Sequence, residues 1–376
     1  MKTAIEQQSL SFALQNVYRA ISPGTTHPIL TGILVTAQEG ILHFSATDLE
    51  VSIECTVPAQ VDLPGALVLP GRELVEIVNR IPGGHIEIIA PEDRHQAIIT
   101  WRSSEFVLNG YPPDQFPSLP TADEGTSFSM PARILKDALG KTAFSAGSGD
   151  EVMPVICGVR LRFEEGDIQT TGTDGFRVAV WESSLPGGPD DMEVVLPKPS
   201  VTDLLRVIDS LDAEENVKIA LSENHVFFET ERGVKFSTVV LEGQYPDVLS
   251  MVISPGGYET RAVVDRREFT GACERAALLS EEHRGIRPVR LHVMRDRLVF
   301  KASSAELGEA YDEIEGEVEG DDLNILFQSR YLLEGIRYMN SDHIVLNFTD
   351  FEGAAMIQGQ GDDLYSYIVL PMKTKS

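Results

Sequence analysis

Cysteine, tryptophan and long apolar runs are scarce in this chain of 376 residues, which contains three Cys and two Trp. Cys55, Cys157 and Cys273 are far apart and have no CxxC spacing, so they indicate neither a disulfide framework nor a zinc site. We expect free, buried thiols. No apolar run approaches the ~20 residues that cross a bilayer, and the start, MKTAIEQQSL, lacks the apolar core of a signal peptide. We therefore expect a cytoplasmic protein without a membrane partner.

Positive charge is scarce as well. The chain has 31 Lys and Arg against 58 Asp and Glu, which gives a net charge of -27. This balance argues against a nucleic-acid partner, because affinity for a duplex comes largely from neutralised phosphates. A chain with unevenly spread charge could still present a basic surface to DNA.

An internal repeat organises the sequence. Thr47-Asp48, in SATDLEVSIECTVP, is followed 126 residues later by Thr173-Asp174, in TGTDGFRVAVWESSLP, and the looser pair Ser303-Ser304 lies another 130 residues on. The amphipathic segments LVEIVNRI, VTDLLRVI and LLEGIRYM recur at offsets of 127 and 131 residues. Two independent markers with one period predict three tandem copies of one structural module.

Each repeat predicts an α+β module of two helices on an antiparallel sheet. Helical periodicity marks the windows 6–22, 71–82, 131–142, 198–209, 266–278 and 329–340. Alternating segments such as HIEIIA, VKIALS and HIVLNFT indicate strands. Pro, Gly and polar residues cluster in PSLPTADEGTS and SPGGYE, which predicts modules at 1–121, 122–252 and 253–376.

Sequence signals for an enzyme are weak. There is no Walker loop, GQGDD lacks the third Gly of a dinucleotide fingerprint, and the eight His show no metal-ligand spacing. Glu76, Asp203 and Glu334 recur once per repeat, which favours a structural role over an acid/base pair. We expect no catalytic residues, no cofactor and no metal.

The chain resembles the bacterial DNA polymerase III β subunit family, the sliding clamps. The resemblance rests on the three α+β modules and on HPILTGI, TDGFRVAV, GQYPDV and the terminal YIVLPM, and it extends from Met1 to about Lys373. It implies a head-to-tail homodimer in which six clamp modules close a ring around double-stranded DNA without sequence specificity. It also implies that this processivity factor tethers the replicative DNA polymerase, the clamp loader and other proteins with clamp-binding motifs.

The dimensions of helices agree with a ring of two chains. Six lining helices, each ~10 Å across, enclose only about 9 Å of clear space, whereas twelve leave a bore of roughly 28 Å, wider than a duplex of about 20 Å. The six helix windows hold 13 Lys and Arg against nine Asp and Glu, so the rest of the chain is strongly acidic. A mildly basic lining inside an acidic shell would admit DNA to the bore and repel it elsewhere.

By resemblance to the family, Arg72 is a DNA contact, and Lys198 and Arg206 are candidates on the second module. Gly24 and Val152-Met153 replace residues that are basic or polar in many relatives, which weakens the expected DNA contacts. An alternative therefore stays open: a clamp paralogue with a specialised repair or resistance role.

The resemblance also implies a partner-peptide pocket between the second and third modules and a dimer interface. Flexible and branched apolar side chains suit a pocket that accepts several peptides. Its expected residues are Ile156, Thr173, Gly175, Phe176, Arg177, Val178, Pro246, Met251, Ile368, Val369, Leu370, Pro371 and Met372. Many relatives have His where Phe176 stands, so peptide preference is expected to differ. At the interface, Phe106 and Leu108 of the first module would meet Leu278 and Leu279 of the third.

Overall fold

The structure is a computed structural model, and it describes residues 1–22, 24, 26–92, 94–122, 127–149, 153–222, 224–252, 257–283, 285–350 and 352–373, without the side chains of residues 251 and 252. Within these residues, none of the helices has the length and apolarity needed to cross a bilayer.

Helices form in all six windows where the sequence predicts them, and one further short helix was not predicted. The helices are α1 (Gln7–Val17), α2 (Gly71–Arg80), α3 (Ala132–Gly140), α4 (Lys198–Ile208), α5 (Val248–Val252), α6 (Arg266–Leu278) and α7 (Ser329–Ile336). In α2 the stripe Leu74 and Val78 is buried, and Glu76 on the other face pairs with Arg72 and Arg80. The unpredicted helix, α5, has only five residues, too few to show a helical period.

The strands are short and antiparallel, as the period of two in the sequence predicts. In chain order they are β1 (Lys2–Glu6), β2 (Gly32–Gln38), β3 (Ile41–Thr47), β4 (Val51–Pro58), β5 (Gln60–Leu63), β6 (Gly65–Pro70), β7 (His85–Ile89), β8 (Gln96–Trp101), β9 (Ser104–Asn109), β10 (Ser127–Pro131), β11 (Gly158–Glu164), β12 (Asp167–Thr173), β13 (Arg177–Ser184), β14 (Met192–Pro197), β15 (Asn216–Leu221), β16 (His225–Thr230), β17 (Val234–Val239), β18 (Thr260–Asp265), β19 (Pro288–Met294), β20 (Arg297–Ser304), β21 (Gly308–Glu315), β22 (Glu317–Glu319), β23 (Leu323–Gln328), β24 (His343–Phe348), β25 (Ala355–Gly359) and β26 (Tyr365–Val369).

One compact unit, unit 1, consists of residues 1–133 and 202–240. It contains a five-stranded sheet in the order β5-β1-β7-β8-β9 and an eight-stranded sheet in the order β10-β15-β16-β17-β4-β3-β2-β6. Strand β4 of the first predicted module pairs directly with β17 of the second, with Ile53 opposite Phe236. The larger sheet is therefore continuous from one repeat to the next.

The other compact unit, unit 2, consists of residues 134–201 and 241–376. Its nine-stranded sheet has the order β14-β11-β12-β13-β26-β25-β24-β18-β22, and its four-stranded sheet has the order β21-β20-β19-β23. Strand β13 of the second predicted module pairs with β26 of the third, with Ala179 opposite Tyr367. Each unit thus contains one joint of the same kind, a pair of antiparallel strands that two successive predicted modules contribute.

The division into two units runs through the predicted second module. Its strands β15–β17 lie in unit 1 and its strands β11–β14 lie in unit 2, because each set completes a sheet with a neighbouring repeat. The predicted boundaries at 121 and 252 border residues 123–126 and 253–256, which lie outside the described residues. The three-module division stays a prediction.

Each of the two smaller sheets has two edge strands among the described residues. They are β5 and β9 in unit 1 and β21 and β23 in unit 2, and two of them, β9 and β21, have counterparts at the joints between the repeats. Along the repeat, β21 corresponds to β4 and β13, whereas β9 corresponds to β17 and β26. The edges of β9 and β21 are therefore the counterparts of the strands that pair at the two joints.

Candidate functional site

The repeated Thr-Asp pair builds a tight turn between two strands. In unit 2, Thr173 Oγ1 donates to the Arg177 carbonyl at 2.8 Å and accepts the Gly175 N–H at 3.1 Å. Asp174 Oδ1 accepts the N–H groups of Phe176 and Arg177 at 3.0 and 3.1 Å. Thr47 and Asp48 make the same contacts in unit 1. The repeat in the sequence is a repeat of turn chemistry.

An apolar cluster lies beside this turn in unit 2. Val178 and Val180 of β13 and Ile368 of β26 form its buried part together with Ala354. The partly buried side chains packed against them are Val248 and Leu249 of α5, Met356 of β25, and Leu370. Aliphatic and Met side chains at a partly open surface suit the apolar anchors of a short peptide.

The terminal segment is held beside the turn by its backbone. The Leu370 N–H donates to the Phe176 carbonyl at 2.9 Å, and the Met372 N–H donates to the Leu326 carbonyl at 2.7 Å. Phe176 itself is 60% exposed and stacks on Tyr331 of α7, with ring centroids 6.4 Å apart. The turn, the terminal segment and α7 therefore lie together, with an exposed aromatic ring at the surface.

Arg177 is buried, and each of its three guanidinium nitrogens has a partner in the protein. Nε donates to Asp174 Oδ2 at 3.0 Å, Nη1 pairs with Glu334 of α7, and Nη2 donates to the Phe144 carbonyl at 3.3 Å. Burial lowers the pKa of Arg177, but Tyr367, Glu334 and Asp174 outweigh it and raise the pKa above its ordinary value. The side chain is a fixed internal cation and does not present its charge at the surface.

Other residues expected in the pocket occupy different places in unit 2. Ile156 belongs to a separate cluster with Val155, Val195 and Tyr245, and Pro246 directly follows that tyrosine. Val369 is fully buried and alternates with Ile368 along β26, so it points to the opposite face of the sheet. Pro371 and Met372 are half-buried, and the Met251 side chain lies outside the described part of the structure.

Several residues at this site were missed by sequence reasoning. Leu249 directly follows GQYPDV, whereas Tyr331, Ala354 and Met356 lie outside the quoted motifs, and strand pairing and helix packing bring these residues to the site. The one available signal was the helix window 329–340, whose third residue is Tyr331. An aromatic residue at the start of a helix can lie at the surface or in the core, and the sequence alone does not show which.

The three expected DNA contacts differ in their surroundings. Arg72 on α2 is 75% exposed and pairs with Glu76 at 3.1 Å, and Arg206 on α4 is exposed and pairs with Asp203 at 2.9 Å. Lys198 is half-buried, with Nζ donating to the carbonyls of Ala146 at 2.6 Å and Phe144 at 3.3 Å. Burial and the nearby Arg177 lower the pKa of Lys198. Its ammonium therefore bonds to internal carbonyls, whereas the other two cations pair with carboxylates on their own helices.

Of the residues expected at the dimer interface, two are exposed and two are half-buried. Phe106 on the edge strand β9 is 37% exposed, and Leu278 at the end of α6 is 68% exposed. Leu108 and Leu279 are half-buried. One apolar pair thus lies on the edge strand β9, and the other lies at the end of the helix that packs against the edge strand β21.

The remaining predicted features concern thiols and metals. The described Cys55 and Cys273 are free and buried, and Cys157 is free and half-buried. No group of three His, Cys, Asp or Glu side chains in the described ranges is arranged to hold a metal ion. Of the residues that weaken the expected DNA contacts, Gly24 and Met153 are exposed, whereas Val152 lies outside the described residues.

Repeated α+β modules, sheets continuous across their joints and an apolar cluster beside one joint define a clamp-type protein. The family model for the DNA polymerase III beta subunit matches along the chain, with its N-terminal domain at residues 1–120, its central domain at 129–247 and its C-terminal domain at 251–373. The chain belongs to the DNA polymerase III β subunit family, the bacterial sliding clamps.

Individual relatives match over their whole length. The chain is 32% identical to the beta sliding clamp of Staphylococcus aureus and 30% identical to that of Staphylococcus epidermidis, with 100% of both chains covered in each case. Among solved structures, it superimposes on the DNA polymerase sliding clamp of Bacillus subtilis with a TM-score of 0.93 and 30% identity. The DNA polymerase III subunit beta of Pseudomonas aeruginosa gives 0.92 and 25%. Both structural matches cover 100% of each chain.

Proposed function

We propose that two copies of this chain close head to tail into a ring that encircles duplex DNA and tethers the replicative polymerase, the clamp loader and other partners. The chain acts in the cytoplasm as a processivity subunit without catalytic residues of its own. Its modules are 1–121, 122–252 and 253–376. The full-length similarity to sliding clamps favours this function over a specialised paralogue.

The observation that carries the proposal is the pair of unpaired edges, β9 and β21. Strand pairing joins the first repeat to the second and the second to the third, so the third repeat ends on an edge of the same kind. The edge strand β9 in the first repeat of another copy is the counterpart of the strands that complete the two internal joints. A head-to-tail contact between different surfaces makes a ring when its rotation closes, and closure also removes the edges that would otherwise promote aggregation.

The internal joints give the register of the proposed contact. Ile53 lies opposite Phe236 at the first joint, and Ala179 lies opposite Tyr367 at the second. Carried along the repeat, this pairing places Ala310 of β21 opposite Phe106 of β9 in the other copy. The exposed Leu278 and half-buried Leu279 lie at the end of α6, which packs against β21. Together with Leu108 they would form the apolar centre of the interface.

Six helices per chain supply the lining of the proposed ring. Arg72 and Arg206 are exposed and held by a carboxylate on their own helix, which limits the strength of any phosphate contact. Lys198 contributes to the potential of the lining but has carbonyl partners inside the protein. Weak contacts suit a ring that slides, because topology and not affinity keeps it on DNA.

The apolar cluster of unit 2 is the proposed site for partner peptides. Val178, Ile368 and Leu370 bound it, and Phe176 lies at its rim. Burial of two or three apolar side chains at ~25 cal/mol per Å², less the cost of ordering the peptide, gives affinities in the micromolar range. We expect a pentapeptide of the Gln-Leu-x-Leu-Phe type to bind there.

Retention on DNA tests the proposed function. The protein is loaded by a clamp loader onto primed circular duplex, isolated on the DNA, and followed before and after a restriction enzyme cuts the circle. Encirclement predicts long retention on the closed circle and rapid loss from the linear form. Equal lifetimes on both forms would contradict the proposal, as would failure to make the polymerase processive.

A further inference from the structure

We propose that Glu334 is a positioning residue of the partner-peptide pocket, which acts through Arg177 to hold the turn that carries Phe176. This role rests on the proposed function of the site. Glu334 is not a member of the apolar cluster, and it would act by keeping the turn in the position that binds a peptide.

Each of the three nitrogens of the Arg177 guanidinium donates a hydrogen bond within the protein. Asp174, Glu334 and the Phe144 carbonyl take its three nitrogens. Its flat faces lie against the rings of Tyr331 at 4.6 Å and Phe144 at 5.4 Å. A buried cation keeps one geometry only while its hydrogen-bonding partners are present. Of the three hydrogen-bonding partners, Glu334 is the one that α7 contributes.

The guanidinium is linked to the pocket surface by two short steps. The same Asp174 carboxylate that receives Arg177 Nε also receives the Phe176 N–H, and the Phe176 carbonyl receives the Leu370 N–H at 2.9 Å. The ring of Phe176 stacks on Tyr331, three residues before Glu334 on α7. A shift of the guanidinium would therefore move both the turn and the terminal segment.

Comparison with the first repeat shows that the turn does not need this cation to form. Thr47 and Asp48 build the same turn with Val51 in the place of Arg177. The helix carboxylates that correspond to Glu334 pair within their own helices, Glu76 with Arg72 and Arg80, and Asp203 with Arg206. Among the described residues, only the third of these helix carboxylates, Glu334, pairs with a residue of a Thr-Asp turn. That turn lies beside the apolar cluster of unit 2.

The test measures binding of a synthetic Gln-Leu-Ser-Leu-Phe peptide by calorimetry to the full-length dimer. Glu334→Gln keeps the size of the side chain and removes its charge, and we expect about tenfold weaker binding, because only about a tenth of the free variant would hold the turn in its binding position. Arg177→Met should weaken binding at least as much. The double variant should bind no worse than Arg177→Met alone, because the two residues act in series.

Matched controls come from the other repeats. Glu76→Gln and Asp203→Asn remove the corresponding carboxylates, which pair within their own helices. Both variants should bind the peptide within twofold of the unchanged protein. Glu334→Gln should keep its retention on circular DNA, which separates damage to the pocket from damage to the ring.

Three results would overturn the inference. Unchanged peptide affinity of a folded Glu334→Gln dimer would show that the carboxylate does not position the pocket, and additive losses in the double variant would show that it does not act through Arg177. If Glu334→Gln does not fold, Glu334→Asp, which retracts the carboxylate by one methylene, should still weaken binding about threefold, and equal affinity would count against the inference. An unchanged protein that fails to bind the peptide would instead contradict the proposed pocket.

Discussion

At the scale of single residues, the two Thr-Asp turns differ at one position in a way that costs stability. The turn requires a left-handed residue after the Asp, and unit 2 supplies Gly175 with φ 82°. Unit 1 has Leu49 with φ 81° at the corresponding position, and its side chain is 60% exposed. A residue with a Cβ pays about 1–2 kcal/mol for this backbone conformation, and an exposed Leu regains little of it by packing.

We therefore predict that Leu49→Gly stabilises the protein. Relief of the left-handed strain outweighs the extra chain entropy of Gly by about 0.5 kcal/mol, so the thermal midpoint should rise by about 1–2 °C. Differential scanning calorimetry measures the change. Gly175→Ala, the reverse change in the other repeat, should lower the midpoint, and a lower midpoint for Leu49→Gly would contradict the prediction.

At the scale of elements, α6 is capped by Asp265. Its Oδ1 accepts the N–H groups of Arg267 at 2.8 Å and Glu268 at 2.9 Å, which satisfies two donors at the start of the helix. The Glu268 N–H is the largest influence that lowers the pKa of this carboxyl group below its ordinary 3.8. The folded state therefore favours the charged carboxylate.

Asp265→Ala should destabilise the protein at neutral pH by about 0.5–1 kcal/mol, the usual value of an exposed N-cap. Because the folded pKa is depressed, the stabilisation is present above the ordinary pKa and is lost as pH falls through the folded value. The difference between the two proteins in urea unfolding should be full at pH 7 and shrink below about pH 4. A gap that stays constant down to pH 3 would mean that the carboxylate charge is not involved.

The sheet edges lead to a second prediction at this scale. Residues directly opposite in an antiparallel pair have Cα atoms about 4.5–5.5 Å apart, within reach of a disulfide. Phe106→Cys with Ala310→Cys, in a Cys157→Ser background, should therefore form covalent dimers on oxidation, seen on a non-reducing gel. Phe106→Cys with Glu309→Cys is the matched control, because adjacent residues of a strand point to opposite faces. Equal cross-linking of both pairs would exclude the proposed register.

At the scale of the whole molecule, ring closure would bury Leu278 and Leu279 between subunits. Leu278→Asp with Leu279→Asp would place two charges in an apolar interface, and their desolvation should open the ring. We expect a folded monomer in analytical ultracentrifugation and loss of retention on circular DNA. Binding of the peptide by unit 2 should persist, because none of its cluster residues is changed. A double variant that stays dimeric at low micromolar concentration would contradict this interface.

The sequence by itself determined the local structure of this protein and the order of its elements. Apolar stripes such as Leu74 and Val78 predict the six main helices, and alternation predicts the strands, because both patterns depend on residues close together in the chain. The recurrence of Thr47 as Thr173 predicts the repeat. The fold class followed from the repeat together with the family resemblance. The short helix α5 was not predicted, because five residues are too few to show a helical period.

Only the tertiary structure decided which distant residues meet. Sequence spacing does not reveal that Arg177 pairs with Glu334, which is 157 residues away in the chain. Nor does it reveal that Val369 lies on the opposite face of the sheet from Ile368, or that the Lys198 ammonium donates to internal carbonyls. It also does not reveal that the central repeat divides its strands between two sheets. These outcomes depend on strand register and helix packing across the chain, which are fixed by the burial of whole faces and not by any local pattern.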